Sequence, residues 1–287
     1  MSDLPGKTIF DMTIGVAGCG AMGLPMGKAL VKAGFKVKGF DVRPVEEFGD
    51  FKNNMITSPG DFSGAVDVLI SVVRDQRQTR DLYFDRQAIF RTSDYPKICL
   101  LASTVSPSFV TELGSILPED VQFFEIPMSG APVAAEEERL TFMVGADEQT
   151  AAPIKPLLEA MGLEVHFLGG LGKGMTCKVL NNFVAASSVA AVRQVLHEAT
   201  KLQLSPAKLL DVMKSSSGGT WFGEHFDSID WAREDYDPAN TIGIVEKDVN
   251  ALLDALKEIP SDSQSLDYIK TVRDRLSAMP PAPVHSQ

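Results

Sequence analysis

Near its start the chain reads Thr13-Ile14-Gly15-Val16-Ala17-Gly18-Cys19-Gly20-Ala21-Met22-Gly23, and no other segment constrains the fold as tightly. A five-residue β-rich run passes directly into glycines spaced GxGxxG, and the small and apolar residues of 22–33 are spaced as in a helix. Strand, glycine turn and helix in that order open a βαβ unit built around a pyrophosphate. Gly18 permits the tight turn, Gly20 lets the backbone approach the phosphates, and Gly23 lets the helix pack closely on the sheet. The helix then opens at Ala21 and Met22 with N–H groups and a partial positive charge facing the anion. A second strand, Lys36–Phe40, runs into Asp41, eighteen residues after Gly23, where an acidic ligand for the adenosine ribose is expected. Asp41 would accept hydrogen bonds from the ribose hydroxyls and repel a 2′-phosphate, which favours NAD over NADP. Arg43 reads two ways, as a contact to phosphate or adenine, or as a solvated surface arginine.

Beyond this unit, short β-rich runs at 68–73, 97–102 and 121–125 alternate with helical stretches. That alternation predicts a parallel sheet with helices on both faces. Val73, closing the third strand, joins the cofactor-binding candidates. After Gly169 no convincing strand follows, and 174–202, 206–215, 241–258 and 263–278 read as helices. The glycine cluster Gly169-Gly170-Leu171-Gly172-Lys173-Gly174 marks the change. The expected fold is therefore α/β: a Rossmann-type doubly wound parallel sheet over residues 1–170, then an all-α domain over 171–287. The proline-rich end from Pro280 to Gln287 is expected to fray.

Twenty-seven basic residues against thirty-eight acidic ones give a net charge of −11. Such a surface repels nucleic acid and anionic membranes, and an anionic substrate would need locally placed cations. Cys19, Cys99 and Cys177 are far apart and form no CxxC pair, the pattern of reduced thiols in the cytosol. Residues 1–11 lack the basic-then-apolar layout of a signal peptide. The longest apolar stretch, 183–192, is too short to span a bilayer and contains two serines. A soluble, cytoplasmic protein is expected.

Three further segments carry the chemistry. Ser103-Thr104-Val105-Ser106-Pro107 and Pro127-Met128-Ser129-Gly130-Ala131 follow strands at the end of the sheet where open α/β folds bind ligands. The third runs from Gly172-Lys173-Gly174 to Lys178, Asn181 and Asn182. Lys178 and Asn182 lie four apart on the long helix and share a face. An ammonium and an amide pointing the same way suit a substrate with a hydroxyl or carbonyl. Each residue alone has a plain reading: a solvated helix lysine, bridging asparagines, loop hydroxyls. No acidic, histidine or cysteine cluster shows a metal-ligand pattern, and no metal is expected.

With the opening Gly15-Val16-Ala17-Gly18-Cys19-Gly20-Ala21-Met22-Gly23-Leu24-Pro25-Met26, these segments resemble the β-hydroxyacid dehydrogenase family, which includes the 3-hydroxyisobutyrate, tartronate semialdehyde and L-threonate dehydrogenases. The resemblance covers roughly residues 12 to 277. It implies an NAD- or NADP-dependent enzyme in which Ser129, Gly130 and Asn182 hold the substrate carboxylate and hydroxyl, and Lys178 is the general acid/base. It also places Thr104 beside the nicotinamide ribose and Lys247, of the pair Lys247-Asp248, near substrate and nicotinamide. Ser217-Gly218-Gly219-Thr220-Trp221 resembles a stretch found in some members. Lysine, with an ordinary pKa of ~10.4, serves as a base near neutrality only when burial or a second cation such as Lys247 lowers it. The sequence departs from the family pattern at Glu125, Ala131, Leu101 and the 132–139 stretch; none of these removes a catalytic group, but they are expected to alter the pocket wall and with it the substrate. The implied substrate is a small carboxylate-bearing β-hydroxy acid and the implied assembly a homodimer or homotetramer. Two alternatives stand beside it: an imine reductase of the same fold, which generally lacks the lysine, and a catalytically inactive nucleotide-binding regulator.

Overall fold

Short runs that are apolar on both sides, such as Val68-Leu69-Ile70 and Ile98-Cys99-Leu100-Leu101, are stable as strands only when both faces of their sheet are covered. The computed structural model, which describes residues 8–257, 259–260 and 262–283, covers them with helices. Strands β1 (Thr13–Ala17), β2 (Lys36–Phe40), β3 (Val68–Ser71), β4 (Ile98–Leu101) and β5 (Gln122–Glu125) form one parallel sheet in the order β2-β1-β3-β4-β5. Outside β2, Met55 makes a single parallel bridge to Gly39, and the Ile56 N–H donates to the Gly39 carbonyl at 2.8 Å. With that bridge the order is that of a doubly wound Rossmann sheet whose third strand has shrunk to one residue. Residues Val45–Asn54 are wound into 3₁₀ turns that bury Phe48 and Phe51, which leaves little extended chain for a longer strand.

Successive strand residues feed opposite faces. Ile14, Val16, Val68, Ile70, Ile98 and Leu100 pack with Met26 and Leu30 of the Gly23–Lys32 helix. Leu69, Cys99 and Leu101 pack on the other side with Phe62, Tyr83, Phe109 and Leu113. Each such aliphatic side chain, fully buried, contributes about 1.5–3 kcal/mol.

A second, three-stranded sheet was not expected from the sequence. It consists of β6 (Met128–Ser129), β7 (Leu140–Val144) and β8 (Gly162–Phe167), with β6 antiparallel and β8 parallel to β7. Its β7 residues Leu140, Phe142 and Val144 join the first core.

The chain divides into two compact units, Met1–Lys178 and Val179–Gln287. The division falls within one helix, Lys173–Lys201. All regular structure described in the second unit is helical. Val179, Ala186, Val189, Val192 and Leu196 face a core shared with Leu210, Phe222, Ile242, Val249 and Leu276. By length and composition the long helix passes for a membrane span. Its packing is that of a core helix, since it also buries Arg193, whose Nη1 donates to the Ala232 carbonyl at 2.7 Å and whose Nη2 donates to the Pro280 carbonyl. Burial lowers the Arg193 pKa to about 10. The expected fraying does not begin at Pro280. Arg193 holds its carbonyl, and the Ala282 N–H donates to the Arg233 carbonyl at 3.0 Å. Residues 284–287 of that tail, and 1–7 of the segment judged for a signal peptide, lie outside the described residues.

Candidate active site

At the C-terminal ends of β1 and β3 the chain leaves in opposite directions along the sheet, and the glycine turn sits there. Gly18 has φ +89°, and a Cβ on it would press on the Val72 carbonyl and on Val73 Cγ1 at 3.1 Å. This contact places Val73 against the turn. A Cβ on Gly23 would overlap the Gly18 carbonyl oxygen, so the helix meets the strand as closely as the motif requires. A Cβ on Gly20 meets no heavy atom within 4 Å; the fold itself makes no demand for glycine there, whereas a closely approaching phosphate does. The helix that follows, capped at Met22, has no capping side chain and no acidic residue in its first turn. These features fit a dinucleotide pyrophosphate. Ser103 ties the neighbouring strand ends together, accepting from the Val73 N–H at 2.9 Å, and so fixes the loop that carries Thr104.

Asp41 stands where the sequence puts it, but Arg43 occupies it. The Arg43 Nε donates to Asp41 Oδ1 at 3.1 Å and Nη2 to Oδ2 at 3.2 Å, while Nη2 also reaches the Cys19 carbonyl of the glycine turn at 2.8 Å. Its guanidinium lies over the Phe48 ring, 4.9 Å from the centroid. Arg43, though exposed, is thus tied both to Asp41 and to the glycine turn. A carboxylate accepts about four hydrogen bonds; with the Arg43 backbone N–H also donating to Oδ1 at 3.0 Å, Asp41 keeps capacity at Oδ2 for one ribose hydroxyl. Cys19, tucked beneath the turn, has its thiol pushed up to about 12 by burial and by Asp41.

The first unit also holds Ser129, Gly130 and Lys178. Ser129 ends β6, paired with Thr141. Gly130 has φ +142°, and a Cβ on it would meet Ala134 Cβ at 2.7 Å. Ala131, with φ +54°, is left-handed without being glycine. Lys178 is 7% exposed, near the start of the long helix. Beneath that start lies Glu125, at the end of β5 and fully buried. Its Oε2 accepts from the Met175 N–H at 2.7 Å, and no hydrogen-bond partner meets Oε1 among the described residues. Burial pushes its pKa up to about 7, against the pull of backbone N–H groups at Met175, Gly172 and Gly174.

The second unit holds Asn182 and Lys247, joined through Asp248. Asn182 Nδ2 donates to Asp248 Oδ2 at 2.6 Å. Lys247 Nζ lies 2.7 Å from Asp248 Oδ1, a close ion pair. The sequence named Lys247 and not its neighbour as a site residue, yet Asp248 is what links it to Asn182. Among the described residues no group of three or more His, Cys, Asp and Glu could hold a metal ion.

Comparison with known proteins adds to this geometry. Residues 13–170 match the family described as the NAD binding domain of 6-phosphogluconate dehydrogenase. Residues 172–278 match the one described as NAD-binding of NADP-dependent 3-hydroxyisobutyrate dehydrogenase. Mitochondrial 3-hydroxyisobutyrate dehydrogenase of Homo sapiens is 29% identical over 230 residues, 79% of this chain and 68% of that one. L-threonate dehydrogenase of Cupriavidus necator is 28% identical over 249 residues, 85% of this chain and 83% of that one. Among solved structures, 3-hydroxyisobutyrate dehydrogenase of Mycobacterium tuberculosis with L-serine has a TM-score of 0.73 at 26% identity, covering 94% of this chain and 96% of that one. The chain belongs to the β-hydroxyacid dehydrogenase family, NAD(P)-dependent oxidoreductases that act on CH–OH donors.

Proposed function

We propose that this protein interconverts a small β-hydroxy acid, 3-hydroxyisobutyrate-like in size, and its carbonyl form, with Lys178 as the general acid/base. The observation that carries the reading is the burial of Lys178. Helix lysines ordinarily keep their ammonium in water, and a buried one is rare unless it has a task or a partner. The bound nicotinamide supplies the hydride acceptor or donor; Gly18, Gly20, Ala21, Met22, Gly23, Asp41, Arg43, Val73 and Thr104 would hold the dinucleotide. In oxidation Lys178 takes the hydroxyl proton, and in reduction it returns one to the forming alkoxide. Asn182 Nδ2 is committed to Asp248, and among the described residues Oδ1 accepts a 3.3 Å contact from Asn181. Its remaining lone pair would orient the substrate hydroxyl. Ser129, the Gly130 N–H and Lys247 would meet the carboxylate. L-serine, present with the M. tuberculosis relative, likewise carries a hydroxyl β to a carboxylate, which supports this substrate class. In this reading residues 1–170 bind the nucleotide, residues 171–287 complete the substrate site, and the enzyme works in the cytoplasm as a homodimer or homotetramer.

Steady-state kinetics on a panel of small hydroxy acids, with NAD(H) and NADP(H), test the proposal. Lys178→Ala should lower kcat by ~10²–10⁴ while cofactor affinity and thermal unfolding stay near wild type. Lys178→Arg should restore little, because a guanidinium keeps its proton. Turnover of Lys178→Ala within a few fold of wild type would remove the acid/base role. Asp41 should make NAD(H) the better cofactor; a preference for NADP(H) would mean that Arg43 governs the site.

A further inference from the structure

Glu125 is a buried acid that the proposed chemistry does not use, and its surroundings are specific. It closes β5, whose other residues are Gln122, Phe123 and Phe124, and its carboxyl is enclosed by backbone. A Cβ on Gly145 would overlap Oε1, and a Cβ on Gly174 would overlap the Met143 carbonyl and crowd the Gly145 nitrogen at 2.8 Å. The helix start and the β7 end thus close on the carboxyl with only glycines in between. Among the described residues no side chain donates to it. Its Oε2 accepts from the Met175 N–H at 2.7 Å, fifty residues on, with Gly172 and Gly174 N–H groups also acting on it. The first N–H groups of a helix have no intrahelical acceptor, and here a strand-borne carboxyl supplies one. Met175 precedes Lys178 by three residues, about 4.5 Å along the axis and on the same side.

We propose that Glu125 is a positioning residue for the reaction: its carboxyl seats the first turn of the Lys173–Lys201 helix on β5 and thereby sets where the Lys178 ammonium lies. The inference rests on Lys178 being the acid/base residue. What matters is the reach of the side chain and its acceptor oxygen. Glutamine preserves both. Aspartate is shorter by about one C–C bond, ~1.5 Å, so its oxygen reaches the Met175 N–H only if the helix start moves.

The test compares Glu125→Asp and Glu125→Gln, each alone and combined with Lys178→Ala, by kcat, by KM and by hydrogen exchange of the Met175 amide. Glu125→Asp should lower kcat tenfold or more, with KM for the hydroxy acid and cofactor affinity within about threefold, and should speed Met175 exchange. Glu125→Gln should keep kcat within about threefold and keep the amide protected. In the Lys178→Ala background the aspartate substitution should cost no further turnover, because two residues acting through one group are not additive. Wild-type kcat in Glu125→Asp, or the same fractional loss in both backgrounds, would overturn the positioning role. A Lys178→Ala enzyme with normal turnover fails the parent reading instead, and the exchange of Met175 still reports whether Glu125 seats the helix.

Discussion

Glu125 and Asp248 are both buried carboxylates, and the fold satisfies them by different means. Asp248 lies between the Lys247 ammonium and the Asn182 amide, whereas Glu125 has backbone N–H groups and burial. For Glu125 burial wins, and the folded pKa of about 7 exceeds the ordinary 4.5. A raised carboxyl pKa means that the folded state holds its proton more tightly than the unfolded one. The stability this contributes is full below about pH 4.5 and is lost as the pH rises through about 7, a span worth about 3 kcal/mol. Glu125→Gln cannot ionise, so its stability relative to wild type should improve between about pH 4.5 and 7 and level off above. Urea unfolding at a series of pH values reads this directly, and parallel curves for the two proteins would show that Glu125 titrates as an ordinary acid. An acid closing an apolar strand is visible in the sequence as Phe123-Phe124-Glu125-Ile126, and a buried charge demands a partner. The identity of that partner, a backbone N–H fifty residues away, has no sequence signature. The same holds for Asn182 and Asp248, sixty-six apart.

At the scale of elements, the strands that sequence reasoning recovers are those with a periodic or continuous apolar pattern long enough to read. The runs at 68–73, 97–102 and 121–125 appear as Val68–Ser71, Ile98–Leu101 and Gln122–Glu125, trimmed at their ends, and the long helix falls at Lys173–Lys201. The second sheet escapes for identifiable reasons. Strand β6 is two residues long, and β8 is largely exposed, so neither shows a strand pattern. Only β7, Leu-Thr-Phe-Met-Val between Arg139 and Gly145, carried a signal that could have been taken. The turn joining β6 to the Ala131–Glu136 helix holds a strained residue: Ala131 is left-handed, which costs an L-residue with a Cβ roughly 1–2 kcal/mol. Ala131→Gly should relieve this, offset in part by the freer unfolded chain, for a net gain of about 1 kcal/mol in urea unfolding. A loss of stability would show that the alanine is at ease there.

For the molecule as a whole, the passage between the two units is made by continuous helix, since the division after Lys178 falls inside Lys173–Lys201. Proteases cut segments that can be drawn out into an extended form, and this junction offers none without breaking helical hydrogen bonds. Limited trypsin digestion of the native protein should therefore leave Lys178 and Arg193, both buried, uncut while exposed loop sites are nicked; an early fragment ending at Lys178 would show that the helix opens there. A further consequence concerns inheritance. The boundary between the units separates Lys178 from Asn182, so a genetic crossover placed at the natural seam of the fold would pass the lysine to one descendant and the asparagine to the other. The two units can diverge in sequence, but under the proposed chemistry a recombinant that exchanges them as modules would receive the lysine without its asparagine, and the helix that joins them would be inherited to advantage only in one piece.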